Sequence, residues 1–213
     1  MKKQTGFTLI ELAIVLVIIG LLLGGVLRGQ ELINSARVKN LTREFQNVQV
    51  YLYGYQDRFR ALPGDDANAT GHLGAGATTN GNGNGQIAGA WNSATNTDES
   101  YLFWRDVRLA GFAPGPTVLT DAGFQPRNTN GGRIGIQSIA AGFATITGMT
   151  GAFAICSDGI LGRDAVQIDI ALDDGETSTG NLRAVPTGTP GAASTTTTIN
   201  QTPGNAYTVC MSI

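Results

Sequence analysis

Histidine and cysteine are nearly absent. His72 is the sole imidazole in 213 residues, and Cys156 and Cys210 are the only thiols. Zinc sites built from closely spaced pairs of Cys and His are therefore excluded. An acid–base site built on histidine has one candidate, and that residue sits in a glycine-rich stretch. There is no Gly-x-Ser-x-Gly turn and no phosphate-binding loop. No catalytic residue is assigned, and no enzymatic activity is expected. Charge is also scarce and without bias: 14 Lys and Arg against 16 Asp and Glu give a formal net charge of −2. Arg105, Arg108, Arg127, Arg133, Arg163 and Arg183 are scattered along the later chain. Without a basic patch there is no general attraction to nucleic acid, and none is expected as a partner.

What the chain does contain is one long apolar run. It extends from Phe7 to Leu27 with a single charge, Glu11, and follows a short basic leader, Lys2-Lys3-Gln4-Thr5-Gly6. About 20 apolar residues suffice to span a bilayer as a helix. A carboxylate costs about 2.5–3.5 kcal/mol at the membrane centre and less near its edge, so Glu11 is a functional candidate. A secretory signal would place a small-residue cleavage site after the run. Leu23-Gly24-Gly25-Val26-Leu27 is a poor match to that pattern. A plain anchor, with Glu11 reaching back to the interface, is the second alternative. Basic residues flank both ends (Lys2 and Lys3 before; Arg28, Arg37, Lys39 and Arg43 after), so charge does not decide orientation.

Beyond the run, Val38, Leu41, Phe45, Val48, Leu52, Tyr55 and Phe59 recur at spacings of three and four. This predicts an amphipathic continuation of the same helix, ending at Pro63-Gly64. Gly20, Gly24, Gly25 and Gly29 interrupt the first half; each weakens a helix by about 0.8–1 kcal/mol relative to Ala, and in lipid each permits close helix packing. Residues 64–97, rich in Gly, Asn, Ala and Thr, read as a long surface loop. A helix is predicted from about Asp98 to Ala110, capped by Asn96 or Thr97 and stopped by Gly111. Tyr101, Phe103, Trp104, Val107, Leu109 and Phe112 are its expected core contribution. Short strands are predicted at Arg133 to Ala140, Phe143 to Thr147, Gly151 to Cys156, Leu182 to Val185 and Tyr207 to Ile213. Residues 165–172 fit a strand by alternation and a helix by the face Ala165, Ile168, Asp169 and Leu172. Residues 186–205 read as an exposed loop. The fold class is α+β: a long N-terminal helix on a small β-sheet head.

Two acidic or amide-rich stretches are candidate ion sites. In Asn80-Gly81-Asn82-Gly83-Asn84-Gly85-Gln86-Ile87, oxygen side chains stand at positions 1, 3 and 5, with Gly at 6 and Ile at 8. That is the spacing of the first half of an EF-hand-like calcium loop. Trp91 stands where the bidentate acid belongs. A site of Asn80, Asn82 and Asn84 side chains and the Gln86 carbonyl therefore needs a carboxylate from elsewhere, with Glu99 or Asp66 as the expected donor. The alternative is a flexible Gly-Asn loop. No cofactor is required, and calcium is the one candidate ion. Asp169, Asp173, Asp174 and Glu176 form the other cluster, which reads as a solvated turn.

A basic leader ending in Gly6, then Phe7-Thr8-Leu9-Ile10-Glu11 and an apolar helix, resembles the N-terminus of type IV prepilins and pseudopilins. Ala61-Leu62-Pro63-Gly64-Asp65-Asp66, the Gly-Asn run, Trp91, Glu99-Ser100 to Trp104, Leu109-Ala110-Gly111 and Leu172-Asp173-Asp174-Gly175 with Gly180 look like a group of bacterial prepilin-type proteins. The resemblance implies cleavage by prepilin peptidase between Gly6 and Phe7 and N-methylation of Phe7. It implies that Glu11 pairs with the N-terminal amine of a neighbouring subunit. The corresponding divisions are a leader (1–6), a membrane and assembly half of the helix (7–34), an amphipathic half (35–61) and an α+β pilin head (62–213). It implies a single-pass inner-membrane protein with a cytoplasmic N-terminus, later carried by an assembly platform into a periplasmic or extracellular filament with other pilins. It favours a Cys156–Cys210 disulfide over two buried thiols, closing a loop of about 55 residues. The function expected is that of a filament subunit; the alternative is a minor pilin whose head binds a surface, DNA or an exported substrate. Calcium sites in the heads of some pseudopilins bear on the Gly-Asn loop.

Overall fold

The computed structural model describes residues 9–143, 145–194, 199 and 204–213. The chain divides into two compact units, Met1–Val38 and Lys39–Ile213. Helix α1 runs from Leu9 to Phe59 and contributes to both. In the first unit its large apolar side chains are exposed from Leu9 at 89% to Ile33 at 62%, and Val38 at its end is buried. In the second, the three-and-four spacing becomes a packed stripe. Leu41, Phe45, Val48, Leu52 and Tyr55 are all buried, while Arg43 faces outward and Glu44 is half-buried, accepting from Thr129. The helix stops before Pro63-Gly64. Arg60 takes a left-handed conformation (φ 55°) and still donates its N–H to the Gln56 carbonyl at 2.9 Å. A left-handed residue just past a helix terminates it, usually as Gly and here as a non-glycine.

The head, Lys39–Ile213, is built on a four-stranded antiparallel sheet in the order β1-β2-β4-β3. Its strands are β1 (Ile134–Ser138), β2 (Phe153–Leu161), β3 (Leu182–Pro186) and β4 (Ala206–Ser212). Strand β2 pairs with β1 in the register Ile136 to Ile155, and with β4 in the register Cys156 to Cys210. Its register with β4 shifts between Ser157 and Ile160, a bulge that puts Gly159 at φ 68°. The helices are α2 (Ala69–Leu73), α3 (Glu99–Leu109) and α4 (Gly162–Leu172). In α4, Ala165, Ile168 and Asp169 are buried while Ile170 is exposed. Burial with helical period, not alternation, settles the ambiguity of this segment as helix.

Four expectations are corrected. First, residues 64–97 are not a surface loop. Asp65, Asp66, Ala69, Ala77, Ile87 and Trp91 are buried, and the segment contains α2. Second, the residue capping α3 is Asp98 rather than Asn96 or Thr97; Asp98 accepts the Tyr101 and Leu102 N–H groups on its carbonyl, and Ser93 Oγ donates to its carboxylate at 2.5 Å. Third, Phe143 to Thr147 forms no strand among its described residues. Gly142 and Gly148 bracket it with φ of 79° and 82°, turning the chain too soon for a ladder, and Thr147 makes only an isolated bridge to Ala193. Fourth, Leu109 and Phe112 are half-buried rather than core, unlike Tyr101, Phe103, Trp104 and Val107.

Strand β1 is buried at all five positions. The segment Ile87 to Trp91 explains this. Ser138 donates its N–H to the Ile87 carbonyl at 3.0 Å, Ile87 donates to Ser138 Oγ at 2.8 Å, and Trp91 donates to Gln137 Oε1 at 2.8 Å. A Cβ on Gly135 would overlap the Trp91 carbonyl oxygen. The strap therefore lies backbone to backbone on the strand, a contact only glycine permits.

Candidate functional site

Gly6 and Phe7, the expected cleavage and methylation residues, lie outside the described residues. Glu11 lies in the first turn of α1, and the next charge along the helix is Arg28. The helix is long and apolar enough to cross a membrane, and none of its apolar stretch is buried within the chain's own structure. A Cβ added at Gly20, Gly24, Gly25 or Gly29 would meet nothing within 4 Å. The chain's own packing does not require glycine at these four positions.

In the head, carboxylates organise the loops. Asp65 and Glu99 are both buried, and both face the Gly-Asn run. Asp65 Oδ1 accepts the Asn84 N–H at 3.1 Å, and its Oδ2 accepts the Gly85 N–H at 2.7 Å. Glu99 Oε1 accepts the Asn82 N–H at 3.2 Å, and its Oε2 accepts the Ala88 N–H at 2.9 Å. Burial raises the Glu99 carboxyl above its usual value; the two N–H donors oppose this and the neighbouring Asp65 adds to it. The amide side chains of the loop are engaged locally. Asn80 Oδ1 accepts the Thr70 N–H, Asn82 Oδ1 the Asn84 N–H, and Asn84 Oδ1 the Gln86 N–H, at 2.9–3.0 Å. A Cβ on Gly81 would overlap the Asp65 backbone.

Asp66 turns away from this loop. Its Oδ2 accepts the Tyr55 hydroxyl at 2.7 Å and lies 2.6 Å from His72 Nδ1, and its Oδ1 accepts the Asn68 N–H at 2.8 Å. Burial pushes the Asp66 carboxyl up, but the hydrogen bonds from His72, Tyr55 and Asn68 outweigh it and hold the group below its usual value. Burial and the bond to Asp66 raise the Tyr55 phenol. The His72 ring stacks on Phe59 with centroids 5.1 Å apart. Asp65 and Asp66 are adjacent in the sequence. The structure sends their side chains to different partners, Asp65 to the loop and Asp66 to α1 and α2. Arg105 and Asp106 form a fully buried pair at 2.6 Å, and Asp106 Oδ2 accepts the Gly64 N–H at 2.8 Å. Burial raises Asp106, and Arg105 offsets part of that rise.

The cluster at the end of α4 is not simply a solvated turn. Asp169 is 0% exposed, Asp173 is half-buried and Asp174 is exposed. One carboxylate oxygen from each lies within 4.8 Å of the others. Burial, opposed by the Gly175 N–H and reinforced by Asp174, Asp173 and Glu176, pushes the Asp169 carboxyl up to about 6. The signal in the sequence is the helical face that Asp169 shares with Ala165, Ile168 and Leu172; Ala165 and Ile168 are buried along with it. On the sheet, Cys156 and Cys210 face each other across β2 and β4 and form a disulfide. It sits in a cluster with Trp91, Ile146, Met149, Ala154 and Val185.

Residues 1–27 match the prokaryotic N-terminal methylation motif. This is the signature of type IV prepilins and pseudopilins. No curated protein matches the chain, and no solved structure does. The motif and the long apolar helix fit anchoring in the inner membrane.

Proposed function

We propose that this chain is a structural subunit of a type IV filament, a pilin or pseudopilin. The observation that carries the reading is the match over residues 1–27 running directly into a helix whose apolar surface the chain itself leaves uncovered. Such a surface needs lipid first and neighbouring helices afterwards. Prepilin peptidase cuts between Gly6 and Phe7 and the new amine of Phe7 is methylated. The anchored subunit is then extracted by an inner-membrane assembly platform and packs with other pilins into a periplasmic or extracellular filament. The open glycine positions of α1 suit close approach between helices of different subunits. Glu11 and the Phe7 amine of a neighbour are each costly in a low-dielectric core and gain most by meeting.

The Gly-Asn loop enters this reading as a part of the scaffold. All four oxygens of Asp65 and Glu99 accept main-chain N–H groups, so the loop is wrapped around two carboxylates. The proposal is tested by replacing Glu11 with Ala and measuring the subunit in membranes and in sheared filaments. Processing and membrane insertion are expected to be unchanged, with filament incorporation reduced. Normal incorporation of the variant would remove Glu11 from assembly.

A further inference from the structure

We propose that Asp169, Asp173 and Asp174 form a binding site for a divalent cation of the calcium type, between the end of α4 and the start of β3. The three carboxylates converge from one helix and the turn that follows it, with one oxygen of each within 4.8 Å of the others. An independent observation points to a ligand. Asp169 is 0% exposed, its Oδ1 accepts the Gly175 N–H at 3.0 Å, and its Oδ2 has no hydrogen-bond partner. A buried carboxylate oxygen left unpartnered costs free energy unless something positive or protic meets it. None of the ion pairs among the described residues involves any of the three aspartates.

The remaining contacts fix the geometry rather than satisfy the charge. Asp173 Oδ2 accepts the Asn181 and Leu182 N–H groups at 2.6 and 2.8 Å. Asp174 accepts the Glu176 N–H at 2.9 Å and the Thr179 hydroxyl at 2.8 Å. Two of the three ligands are thus pinned by the turn itself. A Cβ on Gly180 would overlap the Asp173 carboxylate, so glycine keeps that side of the site clear. The donor set is oxygen only, which selects a hard cation over zinc or copper. The exposed Asp174 side leaves room for water to complete the six to eight oxygens that calcium takes. A bound ion would tie α4 to the strand that follows it, because Asp169 belongs to the helix while Asp173 holds Asn181 and Leu182.

The test is calcium titration of the full-length mature protein in detergent, first stripped with EDTA, by calorimetry and by thermal unfolding. Calcium is expected to bind with a dissociation constant on the order of 0.1–1 mM, as in other extracellular modules, and to raise the unfolding temperature. Asp174→Asn, at an exposed position, is expected to keep the fold and weaken binding by about ten-fold or more. Asp169→Asn is expected to abolish it, with circular dichroism as the control for folding. The double variant Asn82→Ala, Asn84→Ala is expected to bind like the parent. No calcium-dependent heat or unfolding shift up to about 10 mM would overturn the proposal. So would undiminished binding by Asp174→Asn, or loss of binding in the asparagine variant alone, which would place the ion at the Gly-Asn loop.

Discussion

Asp65 and Asp66 are neighbours in sequence and do different work. Asp65 holds a loop by accepting two main-chain N–H groups. Asp66 joins α1 to α2 through Tyr55 and His72. Because Asp66 titrates below its usual value in the folded head, its stabilising contribution is complete above the unfolded-state value of about 3.9. That contribution is lost as pH falls through the lower, folded-state value. Asp66→Asn is therefore expected to destabilise the head at neutral pH by about 1.5–3 kcal/mol, the range for hydrogen bonds to a charged group. The deficit should shrink as pH falls below about 4. Glu99 and Asp106 titrate above their usual values and act with the opposite sign; the difference between variant and parent removes Glu99 and reports Asp66 together with its coupling to Asp106. Chemical denaturation across this range checks it; a deficit independent of pH would mean that the charge of Asp66 is not what matters. At this scale the sequence is only partly legible. The spacing of Asn80, Asn82 and Asn84 suggests side chains turned toward a shared ion. In the fold Asn82 and Asn84 each accept an N–H two residues on, as short amide side chains readily do, while Asn80 accepts the Thr70 N–H of α2. Which of two adjacent aspartates meets the loop depends on the turn at Pro63-Gly64, where Gly64 takes φ 88° and a Cβ would overlap the Glu99 carbonyl.

Elements with a clear period are legible in the amino-acid pattern itself. The stripe Leu41 to Tyr55 is the buried face of α1, and the aromatic-rich helix near Glu99 is α3, because apolar side chains at the right spacing need only a core to meet. The strap from Ile87 to Trp91 is not legible in this way. Its two buried apolar residues, Ile87 and Trp91, stand four apart without a repeating pattern, and its polar contacts with β1 leave none either; its trace in the sequence is a glycine on the strand facing it. Gly135→Ala tests this reading of the strap. The added methyl has nowhere to go without separating Trp91 from β1, and a loss of about 4 kcal/mol or more is expected, in the range reserved for named packing failures. Urea unfolding of the variant measures it. A loss near the roughly 1 kcal/mol typical of a point substitution would mean the strap yields easily. Phe143 to Thr147 forms no strand among its described residues for the converse reason: its composition suits a ladder, but glycines on either side turn the chain.

For the whole molecule, the two units present opposite surfaces to their surroundings. From Lys39 onward the head buries its apolar groups, pins its loops with carboxylates and closes its sheet with a disulfide. Before Val38 the apolar side chains of α1 face outward, and only an environment outside the chain can cover them. In the proposed function the leader is removed and the apolar helix is kept, so that the environment of the helix changes from lipid to neighbouring subunits. Processing at the Gly6–Phe7 bond is thus the central claim, and intact mass of the mature protein tests it most directly. The account predicts a species that begins at Phe7 and carries one added methyl group on its N-terminal amine. A mature protein that has lost everything through Leu27, or one that keeps Met1 to Gly6 in the assembled state, would contradict it.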